Sequence, residues 1–365
     1  MKRFVTVLSV ILAVFVQGFA QSKYSNEFLS LGLGARGLGM ANTMCAITDD
    51  VTSAYWNPAG LTSMDKRYQL ALMHAEYFAG IAKYDYAGIG FKIDSNQSVA
   101  FSYIRFGVDN IMNTTQLIDD QGNVDYDRIT YFSAADNAFL LSYAYAFPQV
   151  PGLSLGANAK IVHRKIGKFA RSWGFGLDFG LMYNRKGWQA GLMLRDGTST
   201  FNAWRYSLTD DVIAVFEQTG NEIPENDLEL TVPALLLGGG KTVHFGKGFH
   251  GTFALGLDCT FDGKRNSLIK SNILSADPHF GMEFDYKKIV ALRAGIGNFQ
   301  REPDFEGKQK TTLQINFGVG VCIKNIVTID YAFTDLGNLS IAQYSHVFSL
   351  KVAIDKFKKQ HYDGQ

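Results

Sequence analysis

Trp173-Gly174-Phe175-Gly176-Leu177-Asp178-Phe179-Gly180-Leu181-Met182-Tyr183 places a bulky apolar residue at every odd position and glycine, Asp178 or Met182 at every even one. Successive side chains of a β-strand point to opposite faces, so this stretch folds as one strand with a greasy face and a face that is small or charged. The period recurs in Leu153, Leu155, Ala157, Ala159 and Ile161 against Ser154, Gly156, Asn158 and Lys160. It recurs again in Leu313, Ile315, Phe317, Val319 and Val321 against Thr312, Gln314, Asn316, Gly318 and Gly320. A soluble sandwich alternates in the same way, so alternation leaves two fold classes open. The strand ends separate them: Trp173, Tyr183 and Trp188 stand where the aromatic girdles of a membrane barrel belong.

Working outward, segments of this kind fall at 67–77, 84–94, 97–107, 136–147, 152–164, 172–184 and 187–196. The second half adds 231–244, 250–261, 278–287, 289–298, 311–323, 326–334 and 343–354. About fourteen strands result, near the length of 9 to 11 residues that crosses a bilayer at a tilt. The segment 231–244 is the weakest, because Leu235-Leu236-Leu237-Gly238-Gly239-Gly240 does not alternate in sequence. Short links at Ser95-Asn96, Gln149-Val150-Pro151, Arg185-Lys186, Phe245-Gly246-Lys247-Gly248 and Lys287-Lys288 take turns with long ones at 108–135, 197–230, 262–277 and 299–310. Outer-membrane barrels sort their connections this way, with short turns in the periplasm and long loops outside. The expected fold is therefore an all-β, antiparallel transmembrane barrel in the bacterial outer membrane, with both chain ends on the periplasmic side.

The rest of the chain agrees with that class. Residues 1–20 read as a secretory leader: Lys2 and Arg3 precede an apolar stretch from Phe4 to Val16 and a small-residue end at Gly18-Phe19-Ala20. No cysteine follows the expected cut, so no lipid anchor is expected there. Past Gln21 no run is long and apolar enough for a helical span. The formal charge of +1 gives no footing for a nucleic-acid partner, and 37 glycines, 28 phenylalanines and 17 tyrosines suit strands between lipid and a crowded lumen. Three cysteines, Cys45, Cys259 and Cys322, define no disulfide framework. Residues 21–66 remain as a hatch inside the barrel 67–354, with 355–365 as a short periplasmic tail.

In the hatch, Gly34-Ala35-Arg36-Gly37-Leu38-Gly39-Met40 leads through Asp49-Asp50 to Tyr55-Trp56-Asn57-Pro58-Ala59-Gly60-Leu61. This pattern resembles the N-terminal signature of the PorV/PorQ family of Bacteroidota outer-membrane proteins, within the wider FadL-like group of fourteen-stranded barrels. The closing stretch from Asp330-Tyr331-Ala332-Phe333-Thr334-Asp335-Leu336-Gly337 to His346-Val347-Phe348-Ser349-Leu350 is similar to that family's end. The resemblance implies one of two roles. PorV-like members serve type IX secretion, binding the translocon or carrying clients to the attachment complex; FadL-like members pass hydrophobic molecules such as long-chain fatty acids. Gly60 departs from the secretion shuttle, whose Asn-Pro-Ala is followed by lysine.

Proline removes a backbone donor and keeps the preceding residue extended, so Asn57-Pro58 suits a turn of the hatch. Asp49 or Asp50 can cap a short helical turn over Val51 to Tyr55. Strand phase points Lys160, Asp178, Asp258, Glu283, Arg293 and Asp330 into the lumen, where Arg36, Asp49 and Asp50 can pair with them. Such pairs fix a hatch more readily than they bind a ligand.

Enzyme motifs fail their context. Gly152-Leu153-Ser154-Leu155-Gly156 matches the nucleophile-elbow pattern, but its serine begins an alternating strand instead of a strand-to-helix turn. Gly32-Leu33-Gly34-Ala35-Arg36-Gly37 matches a dinucleotide fingerprint with no βαβ unit around it. His279 and Glu283 share a strand face too far apart for a tight pair. No catalytic site, metal or cofactor is expected.

The outer loop 197–230 holds a cap at Thr209, an apolar face of Val212, Ile213, Val215 and Phe216, and a stop at Gly220. It can serve as a lid, a partner-docking element or a packed helix in a long loop. The expected function is protein binding beside the type IX machinery, and transport of hydrophobic solutes is the rival. An apolar lumen or a gap at a kinked strand would favour transport; a filled lumen would favour a binding platform.

Overall fold

The computed structural model describes residues 24–118, 121–303, 308–334 and 345–355. The leader 1–20, the tail beyond Asp355 and residues 335–344 of the closing motif lie outside the described residues. Strands β1 (Tyr68–Tyr77), β2 (Ala82–Lys92), β3 (Gln97–Asn113), β4 (Thr130–Ala146), β5 (Leu153–Ile166) and β6 (Ala170–Arg185) form a continuous meander. They are followed by β7 (Trp188–Arg195), β8 (Thr200–Tyr206), β9 (Leu228–Thr231), β10 (Ala234–Gly246), β11 (Phe249–Thr260) and β12 (Ile269–Lys270). Strands β13 (Ser275–Tyr286), β14 (Val290–Pro303), β15 (Gln309–Ile323), β16 (Val327–Thr334) and β17 (Ser345–Ile354) complete the order. Every pairing is antiparallel, and β17 returns to β1 with Tyr68 opposite Ile354 and Glu76 opposite His346, so the sheet has no edge.

The wall has fourteen staves. Strand β7 meets β6 with Leu194 opposite Phe179, and β8 meets the same β6 with Phe201 opposite Phe175, so β7 and β8 are one stave with an interruption. Strands β9 and β10 are likewise one stave, because Thr231 faces Thr200 and Ala234 faces Arg195. Strand β12 is a two-residue ladder on β13 outside this count. The expected barrel of about fourteen strands is therefore the observed one, with stave ends corrected. Strands β3 and β4 run far into the expected loop 108–135, and the expected loop 197–230 contains β8 and β9. Beyond the hydrocarbon layer an outer face no longer needs to be apolar, so these extensions lose the alternation that marks the strands below them.

Outward faces carry the apolar band: Phe179 is 42 % exposed, Leu255 56 % and Phe317 56 %. Trp173 and Trp188, near opposite ends of the β6–β7 pair, are exposed as well. In lipid that exposure is burial, and a closed wall with an apolar outer band is stable only there. Leu177, expected to face hydrocarbon, is only partly exposed, because the interruption at 196–199 folds over it. Strand β10 does alternate: Leu236, Gly238 and Gly240 point inward against the hatch, and glycine on both faces hid the period.

Strands β1 and β17 begin and end at the rim of short turns, but the described N-terminus lies at the other rim. Tyr24 N donates to Asp262 Oδ2 at 3.4 Å and Glu27 pairs with Arg265 at 2.8 Å, both partners belonging to the long loop 261–274. Tyr24 thus stands at the long-loop rim and the hatch spans the lumen from there downward; both chain ends, expected on the periplasmic side, lie outside the described residues.

Two outcomes test this topology. Tags in the 114–129 loop or at 219–226 should be labelled in intact cells, while a tag at Lys186-Gly187 should be labelled only after the outer membrane is opened. Phe179→Arg should lower the stability of the barrel in vesicles by roughly 2 to 4 kcal/mol; unchanged urea midpoints would mean that β6 is set in the opposite phase.

Candidate functional site

The hatch is a folded unit without long helices. Turns at Glu27–Leu29 and Pro58–Ser63 and short helices at Ala35–Gly39 and Ser53–Trp56 are held by aromatic hydroxyl and indole groups. Tyr55 Oη donates to Leu29 O at 2.7 Å and accepts from Gly32 N at 3.0 Å, while Trp56 Nε1 donates to Leu33 O at 3.1 Å. Gly34 has φ +78°, which favours glycine, and a Cβ on Gly37 would strike the Trp56 ring at 2.5 Å. Gly39 lies against the wall, where a Cβ would stand 3.0 Å from Gly318 Cα, and one on Gly60 would meet Thr48 at 2.7 Å. Asp50 closes the turn before the second helix, its Oδ1 accepting from the Thr52 amide at 2.9 Å; the N-cap itself is Thr52, without a side-chain cap bond, where Asp49 or Asp50 was expected. Burial alone would raise the Asp50 carboxyl, but Lys351 and Arg36 hold it well below the usual carboxylate range.

Asn57 is the joint between hatch and wall. It is fully buried; its Oδ1 accepts from Ala59 N at 3.2 Å, and its Nδ2 donates to Cys45 O at 2.9 Å, Leu181 O at 3.2 Å and Leu192 O at 3.3 Å. One amide thus ties two turns of the hatch to β6 and β7. Pro58 follows against Gly180, and Gly156 receives the backbone of Pro58 and Ala59. Gly191 and Gly238 receive Cys45 and Ala46 in the same manner. Cys45 is buried with Sγ 3.5 Å from Leu236 O, and burial pushes its thiol up to about 12. Cys45 and the other two cysteines, buried Cys259 and partly exposed Cys322, are all free thiols.

Charged residues divide into separate groups. Arg36 meets Asp49 at 2.5 Å and Glu283 at 2.9 Å, Glu283 meets Arg293 at 2.6 Å, and Arg293 meets Asp330 at 2.7 Å. Lys160, 1 % exposed, pairs with Asp178 at 3.0 Å and with Asp196 at 2.5 Å beneath the wall interruption. Asp50 pairs with Lys351 at 2.9 Å. Asp258 stands apart near the long-loop end, 3.4 Å from His279 Nε2. Sequence reasoning missed Asp196, Lys351 and Asp277. Lys351 shares the inward phase of Ser349, a signal that was present; Asp196 and Asp277 sit at strand ends, where phase is least defined. Asn158 donates to Ala54 O of the hatch at 2.8 Å, and its place in an alternating strand already pointed it inward.

The lumen has two halves. Toward β1–β5 the hatch is sealed by Leu33, Val51, Met64, Tyr84 and Ile104, all 0 or 1 % exposed. Toward β10–β16 the described residues leave cavities, among them one of about 360 Å³ at the long-loop end, one of about 400 Å³ at the short-turn end and a smaller one of about 70 Å³ beside Leu236 and Asp258. The two larger ones are lined mainly by polar side chains, Asp277, Gln314 and Asn316 in the first and Asp65, His250 and Arg293 in the second. On the outer loop, Asp210–Gln218 is a helix stopped before Gly220 at φ +67°, with Val212 buried and Ile213, Val215 and Phe216 partly covered. The apolar face is thus largely covered.

No protein-family model and no curated protein matches the chain. Solved structures do. The toluene transporter TodX of Pseudomonas putida aligns with a TM-score of 0.56 at 12 % identity, over 89 % of this chain and 99 % of that one. The monoaromatic hydrocarbon channel CymD aligns at 0.54 and 12 %, over 89 % and 98 %. The toluene transporter TbuX of Ralstonia pickettii aligns at 0.54 and 13 %, over 88 % and 98 %. The chain is an outer-membrane β-barrel. At these identities the likeness establishes the fold, and the PorV/PorQ resemblance rests on the terminal motifs alone.

The joint can be tested directly. Asn57→Ala removes the donor to the buried carbonyl of Cys45, at a cost of roughly 1 to 3 kcal/mol where no water replaces it, and the ties to the part-buried carbonyls of Leu181 and Leu192. Limited trypsin digestion in detergent should then cut the hatch at Arg36 in the variant while the barrel band still shifts on heating. Gly180→Ala should give the same cut, because its methyl would overlap Asn57 and Pro58; a hatch equally protected in both variants would remove Asn57 from this role.

Proposed function

We propose that the chain conducts small apolar solutes across the outer membrane and releases them sideways, through the interruption of its wall. The observation that carries this reading is a mismatch between staves. Between the pairs Phe179–Leu194 and Phe175–Phe201, three residues of β6 face six residues, Arg195 to Thr200, of the neighbouring stave. Three hydrogen bonds close the wall there among the described residues, Gly197 N to Leu177 O at 2.8 Å, Leu177 N to Thr198 Oγ1 at 3.1 Å and Asp196 N to Asp178 Oδ1 at 2.8 Å, with Lys160 paired to both aspartates on the luminal side. Gly197 lies outside, between Phe179 and Leu194. A molecule that partitions into hydrocarbon gains nothing from a water-filled exit; a seam in the wall delivers it to lipid directly. The like fold of proteins named as a monoaromatic hydrocarbon channel and toluene transporters supports the same solute class.

A second reading, a protein-docking platform of the type IX system, is favoured by the filling of the lumen: one half is packed and the other holds polar cavities. In that reading the working surface is the 197–230 loop with its helix.

One variant separates the two. Deleting residues 197–199 together with Asp196→Leu leaves three residues opposite Gly176–Asp178 and so restores a continuous ladder, with an apolar side chain outward. Uptake of a radiolabelled aromatic hydrocarbon by whole cells should fall about tenfold, toward the level of the gene deletion. Unchanged uptake in this variant, or in the gene deletion, would overturn transport. Loss of surface proteins on deleting 209–220, with uptake intact, would establish the platform.

A further inference from the structure

The cavity at the long-loop end contains a charge arrangement that the hatch does not use. Asp258 on β11 and Asp277 on β13 are direct cross-strand partners. Both carboxylates line the cavity. Like charges in directly opposed positions destabilise a sheet, and here the repulsion is answered on one side alone, by the His279 imidazole 3.4 Å from Asp258 Oδ2. Oδ1 of Asp277 is buried with no hydrogen-bond partner among the described residues. His279, on the same face two residues on, is 7 % exposed, and its Nε2 makes no hydrogen bond although it lies 3.4 Å from Asp258 Oδ2. Arg265 lines the cavity but is committed to Asp262 at 2.5 Å and Glu27 at 2.8 Å.

The facing wall is built of carboxamides. Gln300 Nε2 donates to Asn298 Oδ1 at 2.8 Å, Asn298 Nδ2 to Gln314 Oε1 at 3.3 Å, and Gln314 Nε2 to Asn316 Oδ1 at 3.0 Å. Each amide keeps donor or acceptor capacity beyond this chain, which is the equipment that recognises hydroxyl groups. A hydrocarbon entering here would desolvate these groups without replacing their water.

We propose that this cavity binds a small organic ammonium compound bearing hydroxyl groups, its ammonium between Asp258 and Asp277 and its hydroxyls on the amide chain. The cation answers the cross-strand repulsion and offers a donor to Asp277 Oδ1; three N–H donors serve two carboxylates. A volume of about 360 Å³ suits a ligand of the size of an amino sugar. The site goes beyond the proposed passage of apolar solutes and does not depend on the seam.

The test is calorimetric titration of the purified full-length barrel in detergent with glucosamine, ethanolamine and N-acetylglucosamine. Glucosamine should bind, and N-acetylglucosamine, which keeps the ring but loses the charge, should bind at least about tenfold more weakly. Asp258→Asn and Asp277→Asn should each weaken glucosamine about tenfold, while raising the thermal midpoint of the ligand-free barrel by removing the repulsion. Gln314→Met, across the cavity, should weaken glucosamine and leave ethanolamine unchanged, which keeps the test open where an aspartate variant does not fold. Equal binding of glucosamine and N-acetylglucosamine, no binding of either amine, or unchanged affinity in the folded variants would overturn the proposal. Intact glucosamine binding in a protein that conducts no hydrocarbon would overturn transport and leave this site standing.

Discussion

The contact between the hatch backbone and the glycines of the inner wall is the constraint on which the rest of the molecule depends. A barrel of fourteen staves is wider than its own inward side chains can fill. This chain fills it with its first residues, and those residues are brought so close that Gly156, Gly180, Gly191 and Gly238 have no room for a methyl group. Asn57 then turns proximity into registration, because its amide reaches backbone carbonyls of β6 and β7 as well as that of Cys45.

From this packing follows the division of the lumen. Where the hatch presents Leu33, Val51 and Met64, the wall answers with large buried side chains such as Tyr84 and Ile104, and the packing is close enough that the hydroxyls of Tyr77 and Tyr84 are buried without a hydrogen-bond partner among the described residues. Where it presents Arg36 and Asp50, the wall supplies Glu283 and Lys351. A buried pair of this kind is weak evidence for stability, since desolvation offsets most of its attraction. Its consequence is specificity: a hatch rotated by one stave would bury Arg36 without a partner.

Much of this was legible in the sequence, and the failures have physical reasons. The phase of β6 could be read from Trp173 to Tyr183, because lipid on one side and a packed lumen on the other impose opposite requirements on adjacent residues. The same reasoning placed Lys160, Asp178, Glu283 and Arg293 inside. It could not tell that Lys160 would meet Asp196, which lies in the interruption, nor that Leu235 to Gly240 alternates, because glycine is silent about which face it occupies. Strands β8 and β9 escaped notice because they stand above the band where outward residues must be apolar. The role of the small inward residues was also hidden: a run of glycines reads as tolerance, whereas here Gly156, Gly180, Gly191 and Gly238 mark places that the hatch occupies.

The hatch has one further consequence, and it concerns closure. Its residues are bonded to β17 through Ala35 and Ser349, to β1 through Val51 and Gln69, and to β6 and β7 through Asn57. The first and last strands are thus joined twice, once by their own ladder and once through a segment that lies outside the sheet, so that the closing seam of the cylinder is clamped from within by the chain's own beginning.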